Sequence, residues 1–321
     1  MSPTKTRETG DAERSDGREQ AERSERSGRP ERIDVRKTYK LYIGGKFPRS
    51  ESARSYEVTD SRGRFLANAA QGSRKDARDA VVAARAAFKG WAGATAYNRG
   101  QVLYRVAELM EGRRAQFVDE VSRGEGVTRA RAETLVSAAI DRWVWYAGWT
   151  DKVAQVAGNA NPVAGPYFNL SVPEPTGVVA ALAPQRSSLL GLVSVIAPIL
   201  VTGNTVVVLA SEKRPLPAVT LTEVLATSDV PGGVVNLLTG RTTEVAPWLA
   251  SHADVNAIDL TGATGAEGVV SADLEAAAAD NLKRVLRPGD GDEPTWVAPP
   301  PGPARILHFT ETKTVWHPKG T

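Results

Sequence analysis

The 321-residue sequence contains no cysteine. That absence excludes disulfides, thiolate metal sites and a cysteine nucleophile within these residues. Histidine is nearly as scarce: His252, His308 and His317 are the only copies and show no metal-ligand spacing. His252 ends a helical stretch and reads as a capping or surface side chain. Long apolar runs are missing too. The longest, residues 189–201, is broken by Gly191, Ser194 and Pro198 and falls short of the ~20 residues needed to span a bilayer. The first 36 residues have no contiguous apolar stretch resembling an export signal, so a cytoplasmic protein without membrane contact is expected. Neither sign of charge dominates, since 40 basic and 37 acidic residues leave a net charge of +3, which implies no nucleic-acid partner. Asp290, Asp292 and Glu293 lack the length and terminal ligand of a calcium loop, and no Ser or Lys sits in a nucleophile elbow. No metal site and no catalytic residue is expected.

What is present falls into segments. Residues 1–37 form a charged tail with nine basic and nine acidic groups in its first 36 positions, too poor in apolar surface to order itself. Leu41, Ile43 and Phe47 flank Gly44-Gly45 in a hairpin pattern. Ser73 and Asp76 resemble a capping box ahead of a helical stripe through Ala77, Ala80, Val81, Ala84, Ala87, Phe88 and Trp91. A second stripe, Val102 to Met110, ends at Gly112, and a third helix is predicted over 129–156. Trp143, Trp145, Tyr146 and Trp149 on that helix read as core packing rather than as a stacking platform. From Gly177 the pattern alternates. Short apolar strands at 177–182, 205–209, 234–238 and 256–261 are separated by helices at 189–201, 217–227 and 243–251. Such alternation predicts a doubly wound parallel sheet of the α/β class, with ligands at the carboxyl ends of its strands. Residues 287–304 are half Pro and Gly and read as a linker, whereas 306–316 have the composition of a strand that must pair.

These residues resemble the aldehyde dehydrogenase superfamily. The likeness is carried by LYIGGKF at 41–47, EPTGVVAALAP at 174–184, TGNTVVVLASE at 202–212, PGGVVNLLTG at 231–240 and FTETKTVW at 309–316. The resemblance implies a Rossmann-like nucleotide-binding-type domain in 38–155 and 174–286, and a small β oligomerisation arm in 156–173 and 305–318. The linker at 287–304 stands where the family's catalytic domain would be. The family's thiol nucleophile is absent, Arg287-Pro288-Gly289-Asp290 stands in place of its general-base motif, and Pro184-Gln185-Arg186 replaces the run carrying its oxyanion Asn.

Cofactor contacts implied by the resemblance are Pro184, Glu212, Thr261 and Gly262. Leu209 occupies the family's Lys position, Ala263 its Ser position and Glu267 a Gly position, which leaves either no cofactor or NAD(P) held with weakened affinity. Gly262, Gly265 and Gly268 share a spacing without the strand-to-helix fingerprint. In the family the arm adds its strand to the sheet of another subunit, so Thr310, Thr312, Lys313, Thr314, Val315 and Trp316 are the implied oligomerisation residues. The expected function is a non-catalytic subunit, a pseudoenzyme that scaffolds or regulates a complete aldehyde dehydrogenase in a hetero-oligomer, or that forms a homo-oligomer. The alternatives are an NAD(P)- or nucleotide-binding sensor and a residual NAD(P)-dependent aldehyde oxidoreductase.

Overall fold

The computed structural model describes residues 37–289, 293, 295–297 and 302–320. The expectations for the charged tail and for most of the linker fall outside them. A small sheet comes first, with β1 (Thr38–Tyr39), β2 (Ser55–Thr59) and β3 (Phe65–Ala70) in the order β1-β3-β2. A helical layer follows: α1 (Arg74–Gly93), α2 (Ala96–Gly112), α3 (Arg114–Glu125), α4 (Arg129–Ala147) and the short α5 (Val153–Ala157). β4 (Asn159–Asn161) and β5 (Tyr167–Pro175) lead into an alternating run: β6 (Val178–Leu182), α6 (Leu190–Val201), β7 (Thr205–Leu209), α7 (Leu216–Leu225), β8 (Val235–Leu238), α8 (Thr242–Ser251), β9 (Ala257–Asp259), α9 (Ser271–Ala279) and β10 (Arg284–Leu286). The chain returns through α10 (Ala304–His308) and β11 (Thr310–Pro318). No helix among the described residues is long and apolar enough to cross a membrane.

The central sheet is parallel, in the order β10-β9-β6-β7-β8, with its middle strands buried on both faces. Side chains alternate across it. Val179, Ala181, Val206 and Val208 join α6 in one apolar cluster; Val178, Ala180, Val207 and Leu209 join α1 and α8 in the other. Every residue of α6 is buried. At about 1.5–3 kcal/mol for each large apolar side chain taken from water, this layer dominates the stability of the fold. α1 starts where the sequence predicts it: the Ser73 hydroxyl accepts from the Asp76 amide and the Asp76 carboxylate accepts from the Ser73 amide.

Several boundaries differ from expectation for local reasons. The helix predicted over 129–156 ends at Ala147, because Gly148 opens a turn in which the Thr150 hydroxyl donates back to the Ala147 carbonyl at 2.9 Å. The strand expected to reach 261 stops at Asp259, whose carboxylate accepts from the Thr261 amide and draws 261–263 into a 3₁₀ turn. Residues 306–308, expected as strand, are helical: Pro303 sits at the start of α10, where its fixed φ suits a first turn, and Ile306 plugs the core. The predicted hairpin at 41–47 shrinks to one bridge, Ile43 to Lys46, around Gly44 and Gly45, both at positive φ. Among the aromatics of α4, Trp143 and Tyr146 are fully buried, whereas Trp145 stays partly exposed and packs edge-on against Trp149.

Candidate functional site

The strand order reverses beside β6, which is flanked by β7 on one side and β9 on the other, and the crevice at the carboxyl end of such a reversal is where doubly wound sheets hold ligands. The four cofactor residues named from the sequence gather at this end of β6, but three of them are used for packing. Pro184 is buried against Gly191, where an added Cβ would lie 2.9 Å from the proline Cγ. Gly262 presses on β6 so closely that a Cβ would fall 2.1 Å from the Ala183 carbonyl oxygen. Thr261 donates its amide and its hydroxyl to the Asp259 carboxylate.

The chain's own return segment fills the space beyond. Arg305 Nη2 donates to Asp259 Oδ2 at 2.8 Å and to Thr261 Oγ1; the Asp259 side chain is wholly buried and Arg305 is 17% exposed. The Arg305 guanidinium lies 5.8 Å from the Trp296 ring centre, and the Trp296 carbonyl accepts from Arg142 at 2.8 Å. The Glu293 carboxylate accepts from the backbone amides of Arg186 at 2.7 Å and Ser187 at 2.9 Å, and the next amide, Ser188, donates to Glu125 at 2.7 Å. Consecutive amides of this kind suit an anion, and here two of the chain's own carboxylates supply it. Burial pushes the Glu125 carboxyl up, the hydrogen bonds from Ser188 pull it down, and the Glu293 charge adds to the rise. Burial likewise pushes the Tyr146 hydroxyl up to about 12, against the pull of Arg305 and Arg142. Sequence reasoning missed Arg142, Asp259 and Arg305 and read Glu293 only as solvated linker. The available signal was Asp259, a lone carboxylate inside an apolar strand, which requires a buried partner.

Glu212 is the exception among the four, because it borders open space. Its carboxylate accepts from the Thr242 amide at 3.0 Å, in the first turn of α8, and lies 3.6 Å from the Arg241 guanidinium. A carboxylate there complements the helix dipole. A cavity of about 120 Å³ lies between Glu212, Gln185, Gly265 and Glu267, and another of about 460 Å³ opens on the β2 side between Tyr56, Asp60 and Arg241. Pockets for small molecules run to about 300–1,000 Å³, so the first suits a phosphate-sized group and the second a small polar ligand. As arranged, Leu209 is buried in the core, Thr261 is engaged by Arg305, and Glu212 caps α8. A larger cavity, about 840 Å³, lies elsewhere, in the helical layer between α2 and the end of α4.

The second candidate site is the sheet β11-β5-β4, which carries all six residues named from the resemblance for oligomerisation: Thr310, Thr312, Lys313, Thr314, Val315 and Trp316. β11 pairs antiparallel with β5 from Thr310 opposite Pro175 to Pro318 opposite Tyr167, and its other edge is open among the described residues. The ladder's ends fix which backbone groups are free. Thr176 donates to the Phe309 carbonyl and Lys319 donates to the Pro166 carbonyl. Bonded pairs recur at every second residue of an antiparallel ladder. Odd-numbered residues of β11 therefore face β5, while Thr310, Thr312, Thr314 and Trp316 turn their N–H and C=O groups outward. The same alternation aims the backbones of Pro173 and Pro175 away from β11, beyond the end of the three-residue β4. One edge of the sheet thus carries proline where donors would be, and the other keeps its donors as far as Pro318.

The two faces of this sheet differ as well. Phe168, Leu170, Val172 and Val315 form an apolar stripe on one, each between 37% and 54% exposed, beside the Lys313–Glu174 ion pair at 2.8 Å. The other carries the Ser171–Thr314 hydroxyl pair at 2.9 Å and the edge-on contact of Tyr167 with Trp316.

Comparison with known proteins agrees with this architecture. The aldehyde dehydrogenase family model matches residues 47–300. Retinal dehydrogenase 2 of Gallus gallus is 33% identical over 267 residues, covering 82% of this chain and 50% of the relative. Cytosolic 10-formyltetrahydrofolate dehydrogenase of Pongo abelii is 32% identical over 269 residues, covering 81% of this chain and 29% of the relative. The NAD+ complex of an aldehyde dehydrogenase from Bacillus cereus aligns with a TM-score of 0.73 at 27% identity, over 78% of this chain and 50% of that one. The chain therefore spans half or less of the length of these relatives. That last relative holds NAD+, so the expectation that no cofactor binds here draws no support from it. With most of its length matched by the family model and its parallel sheet shared with solved members, the chain belongs to the aldehyde dehydrogenase family.

Proposed function

We propose that the chain is a non-catalytic member of its family, a subunit that lends the open edge of β11 to a complete aldehyde dehydrogenase and scaffolds or regulates it. The observation that carries this reading is the asymmetry of the arm sheet, guarded by Pro173 and Pro175 on one edge and open along β11 on the other. A strand edge with free donors and acceptors and an apolar stripe beside it suits addition to another sheet. The lack of any cysteine supports the non-catalytic half of the proposal, since no thiolate is available to attack an aldehyde. Co-expression with full-length family members, followed by size-exclusion chromatography with mass measurement, tests it. Co-migration that Thr314→Pro abolishes is the expected result; failure to co-migrate with every full-length member from the same source defeats the reading.

A second reading rests on Glu212 and the two cavities beside it: binding of NAD(P) or a smaller nucleotide as a sensor. Titration calorimetry with NAD, NADP and AMP separates the two readings, because heat that Glu212→Ala removes belongs only to the sensor. Residual oxidoreductase activity would appear as reduced cofactor formed from an aldehyde by the purified chain alone, and none is expected.

A further inference from the structure

We infer that, when no other partner is present, a second copy of this chain takes the β11 edge, the two strands pairing antiparallel about a two-fold axis at Thr314. The inference rests on the open edge described above and not on docking to a complete family member.

A two-fold edge pairing must be self-complementary, and its hydrogen bonds must join outward-facing residues to outward-facing residues. Thr310, Thr312, Thr314 and Trp316 are those residues, so the axis can pass only through particular positions. An axis at Lys313 would set that side chain directly opposite its own copy, a destabilising like-charge pair. An axis at Thr312 sets Glu311 against Lys313 of the second copy favourably but joins only residues 310–314. An axis at Thr314 engages the whole of β11. It places Thr312 beside Trp316 of the second copy, Lys313 beside Val315 and Glu311 beside His317, and opposes no like charges. Pro318, which lacks a donor, falls opposite Thr310 at the very end of the ladder.

Two further features fit this register. The axis runs perpendicular to the sheet, so the stripe of Phe168, Leu170 and Val172 lies on the same side in both copies, flanking a central band of Glu311, Lys313, Val315 and His317 from the two β11 strands in which acid and base alternate. The two Thr310 residues lie about 27 Å apart at the rise of an antiparallel strand, which sets the two bodies at opposite ends of the joined sheet.

The absence of native cysteine makes single-site crosslinking clean. Light scattering on the purified full chain is expected to give twice its 34.2 kDa mass at micromolar concentration. Residues facing each other in a bonded antiparallel pair have Cα atoms about 5.5 Å apart, within disulfide reach. Thr314→Cys is therefore expected to form a covalent dimer on mild oxidation, whereas Thr310→Cys and Thr312→Cys, whose partners are Pro318 and Trp316, remain single chains on a non-reducing gel. Thr314→Pro, which removes an outward donor and leaves the β5 ladder intact, is expected to give a 34.2 kDa monomer with unchanged far-UV circular dichroism. A wild-type chain that stays monomeric into the high micromolar range overturns the inference, as does crosslinking at Thr312→Cys in preference to Thr314→Cys. Monomeric wild type leaves docking to a complete family member standing. A dimer locked by Thr314→Cys that ignores every family member defeats that docking and leaves the self-pairing intact.

Discussion

The strand-end crevice and the arm edge present the same chemical problem, rows of backbone donors that need acceptors, and the chain solves it in opposite ways. In the crevice, the amides of residues 186–188 all donate to carboxylates of the same chain, and Arg305 neutralises the buried Asp259. Along β11 the outward amides are left to solvent or to another chain, while prolines silence the far edge of the same sheet. Self-satisfaction closes a site and leaves structure; selective non-satisfaction leaves a site open. On that contrast, the strand-end crevice is held shut by contacts within the chain, and the β11 edge keeps its outward donors and acceptors unpaired among the described residues.

The sharpest way to break this comparison is at Arg305. Removing it leaves the Asp259 carboxylate buried without a counter-charge, a change that costs about 3–5 kcal/mol. Arg305→Met is expected to lower the unfolding free energy by that amount in urea titration, and adding Asp259→Asn is expected to recover most of it. If Arg305→Met alone is nearly neutral, the crevice is not a structural lock. Gly262→Ala comes next. The new Cβ would press on the main-chain carbonyl oxygens of residues 182 and 183, which yield only if the turn shifts, and the expected loss is about 1–3 kcal/mol.

These pairings explain what could and could not be read from the sequence. The parallel sheet was legible because β6, β7 and β8 are short apolar runs rich in β-branched residues, and α1 because Ser73 and Asp76 announce it. The sheet β1-β3-β2 was not: β1 has only two residues, and β2 and β3 are mixed segments whose pairing decides their conformation. At the candidate site, Glu212 was named only through the family resemblance, which matches it to a Glu following the second strand of the sheet. The Asp259–Arg305 and Arg186–Glu293 contacts join residues 46 and 107 positions apart, and no local period reports such distances. The outward parity of β11 was likewise hidden, because alternation alone does not say which residues face the neighbour.

A smaller effect comes from His308, at the root of the arm between the two regions. Burial holds its imidazole below the ordinary histidine value; Arg284 and Arg305 act in the same direction, opposed by the Asp259 charge and a hydrogen bond to the Val285 backbone. A base whose folded value is depressed binds fewer protons when folded, so its contribution is fully present above the unfolded value near 6.5 and is lost as pH falls toward the folded value. Thermal midpoints are expected to drop as pH falls below about 6.5, and His308→Gln to flatten that slope. An unchanged slope in the variant assigns the pH dependence to other groups.

The smallest expected effect tests the arm itself. Parity assigns Val315 an N–H that points into the β5 ladder and Thr314 an N–H that points to solvent, although both side chains are exposed. Compared at concentrations low enough for the wild type to be monomeric, proline at 315 therefore removes a ladder hydrogen bond, at about 1 kcal/mol or more with the ring clash added, whereas proline at 314 stays within the ~0.5 kcal/mol typical of surface changes. The two variants place the same proline at adjacent, similarly exposed positions, so their stability difference reports chiefly the direction of the backbone. Equal losses, or a larger loss at 314, would mean that β11 presents the other set of amides to a partner, and the register at Thr314 would shift by one residue with it.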